Sequence, residues 1–451
     1  MRDLQGVFDY IDRNEDRYIS DLQRLVRQPS ISAQGVGIAE TAGMVETMLA
    51  DRGFDVAQYP TSGNPIVFGE RAGVSGKRLT FYNHYDVQPA DPLELWHGDP
   101  WSAEIREGRI WGRGVADNKG NLVARLSAID ALLNVRGELP LTVKYIVEGE
   151  EEIGSIHIEE FTHAHGDKLA SDGCIWESGG RDDHGRLDIS LGMKGICYIE
   201  LTVQSVSEDQ HSSKAIRLPN AAWRLTWALA SLKGPDERIR VKGFYDKVRQ
   251  PTAAELAVLA EIPDNSVSEM KRLGIDSYLL GLTGAERIRR DYFEPTCTIS
   301  GILAGYTGEG SKTVMPARAM AKVDHRLVPD QDPDEIQQLI RAHLDEHGFT
   351  DVELKAFGNE KPGRSSLDSP LVRVVDQTWR EMTGNETTIA PTSLGTGPWF
   401  YLNDALGIDG CTAGAGHPAS SVHAPNENIY VEDYIRHIKH AAMIMDRFAA
   451  T

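Results

Sequence analysis

The spacing of apolar positions changes along this chain, and the changes divide it. Up to about residue 185, short apolar runs alternate with segments of helical period. Three runs read as strands: "RLTFYNHYDVQ" (78–88), "LTVKYIVEG" (141–149) and "SDGCIWES" (171–178). Between them "NLVARLSAIDALLNV" (121–135) reads as a helix, and the alternation predicts α/β layering. The N-terminal "MRDLQGVFDYIDRNEDRYISDL" reads as one amphipathic helix.

From residue 195 the texture differs. "GICYIELTVQSVSED" (195–209) is a long alternating strand, and "NAAWRLTWALASL" (220–232) is a helix. Two further strands, "CTISGILAG" and "ARAMAKVDHRLV", precede a helix in "DPDEIQQLIRAHLDEHG" and a strand in "DVELKAF". The polar stretch 234–295 reads as a mostly helical elaboration. After "GRSSLDSP" (363–370) the α/β texture resumes and ends in the helix "VEDYIRHIKHAAMIMDRFAA". The expected organisation is a discontinuous α/β domain, 1–190 and 365–451, with an α+β domain at 191–364 inserted into it.

Length agrees with two domains, because 451 residues exceed what one core usually serves. A net charge of −20 argues against nucleic acid or an anionic membrane surface as partner. No segment approaches the roughly 20 apolar residues of a membrane span, and the N-terminus lacks a signal-peptide pattern. The four cysteines, Cys174, Cys197, Cys297 and Cys411, have no metal-knuckle or redox spacing, so a reducing, cytoplasmic setting is expected.

The candidate chemistry lies at strand ends. Val143, Tyr145, Ile146 and Val147 lead directly into Glu148, Glu150, Glu151 and Glu152, a crowd of carboxylates that repel one another unless something positive is shared. His84 and Asp86 alternate on one strand, so their side chains are expected on one face, with the carboxylate fixing the imidazole tautomer. In "WGRGVADNKGN" (111–121), Gly112, Gly114 and Gly120 surround Asp117. A dinucleotide loop would need a third glycine in register. Taken alone, this loop reads as a glycine-rich turn with Asp117 as helix cap. Glu177, and His423 in "GHPASSVHAPNENIY", would each read as a surface residue in isolation. Together these segments supply histidines and carboxylates without thiolate, a set suited to Zn²⁺, Mn²⁺ or Co²⁺.

The ordered set "NHYDVQP", "GRGVADNKG", "EGEEEIGS", "ESGG" and "SVHAPNENI" resembles the dinuclear zinc metallopeptidase family of aminoacylases, succinyl-diaminopimelate desuccinylase, glutamate carboxypeptidases and carnosinase-type dipeptidases. The resemblance implies a mixed-sheet zinc-exopeptidase domain with helices on both faces, and a lid and dimerisation domain. It implies two divalent ions, Zn²⁺ first, held by His84 and Glu177 on one side and by Glu152 and His423 on the other, bridged by Asp117. Asp86 would orient His84, Glu151 would be the general base, and the Asp117–Asn118 peptide would be cis. A metal-bridged hydroxide would then attack the scissile carbonyl.

In the inserted domain "SEDQHSS" resembles the family's lid motif, with Ser213 where a glycine is usual, and implies that His211 completes the active site of a second subunit in a homodimer. "GSKTVMPARAMAKVDHRLVPDQDP" is closest to the dipeptidase branch and implies that Arg326, with Thr313, engages the substrate's C-terminal carboxylate or reacting carbonyl. Alone, Arg326 reads as a surface pair with Asp324 or Asp330. "SLGTGPW" implies that Gly395 and Thr396 line the substrate pocket. The expected substrate is a dipeptide or short peptide. The alternatives are an N-acyl amino acid within the same family, or binding without catalysis, against which an intact Glu151 argues.

Overall fold

The three apolar runs of the N-terminal half become neighbouring strands of one sheet. In the computed structural model, which describes residues 4–451, Arg78–His84 lies between Thr142–Glu148 and Gly173–Trp176, all three parallel. Gly410–Thr412 extends the parallel set, and the antiparallel strands Asp55–Tyr59 and Ile66–Arg71 complete a six-stranded mixed sheet. Thr142–Glu148 is buried from Val143 onward, on both faces, which is why its sequence runs apolar without alternation. Parallel strands place their carboxyl ends along one edge, and the register pairs His84 with Glu148. The residues just beyond these strands therefore meet, at the edge where open α/β sheets bind ligands.

The helix Lys119–Arg136 packs on strand Arg78–His84 and against the C-terminal helix Val431–Phe448. Leu122, Val123, Leu126, Ile129 and Leu132 are buried along it, each such side chain contributing about 1.5–3 kcal/mol. The N-terminal segment forms two helices, not the single one its pattern predicts. Gln5–Arg13 and Glu15–Val26 meet at Asn14, whose side-chain amide donates to Tyr10 O at 2.8 Å. Residues 1–3 of that segment lie outside the described residues.

The chain divides into two units, one running to Gly192 with Arg364–Pro391 and Pro398–Thr451, the other Met193–Gly363 with Thr392–Gly397. The second unit holds an antiparallel sheet in the order Thr298–Ala304, Arg318–Leu327, Gly195–Gln204, Glu353–Glu360. Cys197, Ile199, Leu201 and Val203 are buried on one face of Gly195–Gln204, as its alternation requires. Helices Ala221–Leu232 and Pro333–Glu346 pack on this sheet. Asn220 and Asp332 cap them by accepting two backbone N–H groups each. Within 234–295 the helices are Ala253–Ala260, Ser266–Leu273 and Gly284–Phe293. The stretch before them forms turns instead, punctuated by Gly234, Pro235, Gly243 and Pro251.

Candidate metal centre and catalytic site

Asp117 is the centre of the site. Its Oδ1 lies 3.0 Å from His84 Nε2 and its Oδ2 lies 3.1 Å from His423 Nε2. The same His423 nitrogen is 3.0 Å from Glu152 Oε2, and ligand atoms of His84, Asp117 and Glu152 all lie within 4.8 Å of one another. One carboxylate thus presents a separate oxygen to each of two histidines. Asp117 is not a helix cap; Asn118 takes that position, and the peptide between them is cis. Asn118 Nδ2 donates to Glu177 Oε2 at 3.1 Å and to Glu177 O at 2.7 Å, which brings the fifth expected residue to the same place. His423 is held at φ +60°, a left-handed conformation uncommon for a side chain of this size.

The strand ends at His84, so Asp86 lies beyond it rather than on it. His84 Nδ1 is 3.0 Å from Asp86 O and 3.4 Å from Asp86 Oδ1. The Asp86 carboxylate instead accepts the backbone N–H groups of Glu151 and Glu152, at 3.2 and 3.1 Å. It therefore fixes the acidic turn relative to the imidazole.

The four glutamates of that turn have four different surroundings. Glu148 accepts from Tyr82 OH at 2.6 Å and Ser155 Oγ at 3.0 Å, and burial pushes it up to about 8. Glu150 accepts the Asn64 N–H at 3.0 Å and lies 2.7 Å from His157 Nδ1. Glu152 faces His423 and accepts from Gln88 Nε2 at 3.0 Å. Glu151 alone of the four has no side-chain hydrogen bond among the described residues, and burial, then the carboxylates of Glu177, Asp117 and Glu152, hold it well above the usual range, against His84.

The cluster carries excess negative charge, as a cation site requires. Asp86, Asp117, Glu151, Glu152 and Glu177 surround two histidines. Burial, then Asp117, pushes Glu177 up to about 7, while hydrogen bonds to Asp117 and Glu152 raise His423 to about 10. Burial would raise Asp117 too, but the bonds from His423 and His84 outweigh it and hold it low. Such a group of oxygen and nitrogen donors suits a metal ion, and the four cysteines are buried free thiols.

The remaining expected residues belong to the second unit. His211 pairs with Val314 across a short antiparallel ladder, and its Nε2 lies 3.5 Å from Thr313 Oγ1. Its Nδ1 accepts from Ser213 N at 3.1 Å, so a serine serves in the turn where the family motif has glycine. Arg326 Nη1 donates to Thr396 Oγ1 at 2.6 Å, and its Nε is 3.6 Å from Asp324 Oδ1, so the surface pair with Asp324 is only its longer contact. Gly395 O accepts the Lys194 N–H at 2.9 Å, which ties the segment 392–397 into this unit.

Sequence reasoning missed several supporting residues. Arg125, fully buried inside helix Lys119–Arg136, donates to Tyr82 O, Asn83 Oδ1, Trp176 O, Glu177 O and Ala413 O, at 2.5 to 3.2 Å. It gathers the carboxyl ends of three strands. An arginine amid apolar helix positions was the available signal. Asn118 and Glu427 gave less: each sits in a quoted motif beside a more obvious ligand.

Comparison with known proteins agrees with this geometry. The profile of Peptidase family M20/M25/M40 matches residues 80–447. The chain is 28% identical over 393 residues to Cys-Gly metallodipeptidase dug1 of Schizosaccharomyces pombe, covering 81% of each. It is 28% identical over 365 residues to Beta-Ala-His dipeptidase of Homo sapiens, covering 76% of this chain and 71% of that protein. An M20 family metallo-carboxypeptidase from Sulfolobus solfataricus superposes with a TM-score of 0.92 at 39% identity, covering 96% of this chain and 99% of that one. Since the profile runs from the strand that carries His84 into the helix that follows His423, this chain belongs to the M20/M25/M40 family of metal-dependent peptidases.

Proposed function

We propose that the chain is an exopeptidase that hydrolyses dipeptides or short peptides with two divalent cations, Zn²⁺ first, Mn²⁺ or Co²⁺ as alternatives. The observation that carries this reading is the division of Asp117 between His84 and His423, with Glu152 on the His423 side and Glu177 reached through Asn118. Bound there, the cations would polarise a scissile carbonyl and acidify water. Glu151, whose carboxylate has no hydrogen bond among the described residues, takes the proton of the attacking water and passes it to the leaving amine. Asp86 holds both the imidazole of His84 and the turn that carries Glu151.

Arg326, whose guanidinium is held by Thr396, offers a planar fork to the substrate's C-terminal carboxylate, Thr313 engages that carboxylate or the reacting carbonyl with it, and His211 stabilises the oxyanion. The names of the three relatives support this assignment, because two dipeptidases and a carboxypeptidase all act where a C-terminal carboxylate is free. Gly395 and Thr396 line the pocket.

The working form is a homodimer in which His211 serves the partner's site. Supporting it, the edge strand Thr298–Ala304 exposes Ile299, Ile302 and Leu303 by half or more, and helix Ala221–Leu232 exposes Trp223 and Trp227, stacked 5.9 Å apart. A bare apolar sheet edge invites pairing with a second copy. No described helix is long and apolar enough to cross a membrane, and four reduced thiols fit a cytoplasmic setting.

The test is a substrate panel. Metal-stripped protein should be inactive, and Zn²⁺, Mn²⁺ or Co²⁺ should restore cleavage of free dipeptides. Activity on N-acetyl or N-succinyl amino acids in preference to dipeptides would replace the peptidase reading with deacylation. Metal-independent activity would remove both.

A further inference from the structure

The loop that carries Asp117 has no regular structure of its own, so its buried backbone groups need partners from elsewhere. One side chain supplies three of them. Glu427 is fully buried, and its Oε1 accepts the N–H groups of Ala116 and Asp117 at 2.8 and 3.0 Å. Its Oε2 accepts the Gly114 N–H at 2.9 Å and Arg113 Nη1 at 2.6 Å. Its carbonyl accepts the Gly112 N–H at 3.0 Å, so the same residue grips the start of the loop. Gly114 takes φ +85° there, and a Cβ on it would come within 2.5 Å of Val87 Cγ1, which keeps the loop pressed against the segment after His84.

The partner guanidinium extends this connection. Arg113, also buried, directs Nη2 at Pro89 O, 3.3 Å, and at Ala424 O, 3.4 Å. One of these carbonyls follows His84 in the chain, and the other belongs to the residue after His423. The Glu427–Arg113 pair thus touches all three segments that bring His84, Asp117 and His423 together. None of its atoms is among the groups that face one another at the centre.

We infer that Glu427 is the positioning residue of the site: it fixes the backbone of Asp117 so that the two carboxylate oxygens face the two histidines separately, and the two-metal site reaches full affinity only with it. This rests on the two-metal reading above. A glutamine at 427 has the same volume, but one oxygen becomes a donor. That donor would face either Arg113 and Gly114 N–H or Ala116 and Asp117 N–H, and two of the four bonds would become repulsive. The loop would shift to avoid this, and with it Asp117.

The measurement is metal binding, not turnover. Metal-stripped wild type, Glu427→Gln, Asp117→Asn and Val375→Ala are titrated with Co²⁺ by calorimetry and by visible absorption, and the melting temperature of each metal-free protein is recorded. Val375 is fully buried on helix Pro370–Thr383 and reports ordinary loss of stability. Glu427→Gln should weaken the second Co²⁺ equivalent about 10- to 100-fold, the range seen when groups behind a metal ligand are removed. Val375→Ala should bind as wild type even where its metal-free form melts as early. Wild-type affinity for both equivalents in Glu427→Gln would overturn the inference, as would an equal loss in Val375→Ala. Two normal equivalents in Asp117→Asn would instead overturn the bridging role on which it rests. Should Glu427→Gln fail to fold, Glu427→Asp makes the same comparison, since it keeps the charge but is one methylene too short to span both arms of the loop.

Discussion

Acid should unfold this protein through buried histidines that are not among the expected metal ligands, and the effect has a size. His440 lies fully buried on helix Val431–Phe448, with Nε2 3.0 Å from Thr378 Oγ1, and burial pushes it down to about 4. In the unfolded chain it titrates near 6.5. The neutral ring is therefore compatible with the fold at neutral pH, and the unfolded state takes up the proton first as pH falls. Stability is fully present above about pH 6.5 and is lost progressively down to about pH 4. The gap corresponds to about 2 kcal/mol at pH 5 and about 3 kcal/mol below pH 4, for this one residue. His325, buried on strand Arg318–Leu327 of the second unit and likewise held near 4 by burial, adds a similar dependence there. The assay is urea unfolding with metal chelated, at pH 7.5 and pH 5, comparing wild type with His440→Gln, which keeps a polar group near Thr378 but cannot titrate. The variant should lose about 2 kcal/mol less than wild type between the two pH values. Equal losses, within about 0.5 kcal/mol, would refute the argument, because a buried neutral histidine cannot avoid this dependence.

Glu151→Gln should keep both metals while losing at least ~100-fold in rate, and near-wild-type turnover would remove the general-base assignment. Glu152→Ala and His423→Ala should each lower metal occupancy; two normal equivalents in Glu152→Ala would mean that the neighbouring glutamates have exchanged roles. Arg326→Met should impair cleavage of free dipeptides far more than of C-terminally amidated ones, and equal losses would take the carboxylate away from Arg326. Co-expression of the inactive variants His211→Ala and Glu151→Gln should restore roughly a quarter of wild-type sites, because half the dimers are mixed and each mixed dimer has one intact site; a verified mixed dimer without activity would show that His211 does not act across the interface.

Much of the fold could be read from local pattern. The buried parallel strands announced themselves as β-branched and aromatic runs, and the antiparallel sheet of the second unit as alternation, because each period reflects which faces are covered. The break at Asn14 could not be read this way: helical period continues across it, and the cause is a single side chain bonding to Tyr10 O. The segment 392–397 was equally opaque, since its grouping with the second unit depends on bonds from Lys194 and Arg326, roughly 70 to 200 positions away in sequence.

The site itself was legible as residue types at strand ends, whereas the division of labour among its carboxylates came from the family resemblance and not from local pattern. Glu148, Glu150, Glu151 and Glu152 are chemically alike and adjacent, so nothing local distinguishes them. What separates them is distant: Tyr82 and Ser155 occupy Glu148, Asn64 and His157 occupy Glu150, and His423 with Gln88 occupies Glu152. Glu151 is left over. Its backbone is nevertheless fixed through Asp86, so the side chain is free to exchange a proton while its origin does not move. A base needs that combination, because a carboxylate already accepting two hydrogen bonds is a weaker one, and a carboxylate on a mobile turn would spend most of its time out of reach. The same logic explains why so much negative charge can be placed at the end of a buried strand: each neighbouring carboxylate is neutralised or bonded by a different partner, and the one that is not is the one we propose as the base.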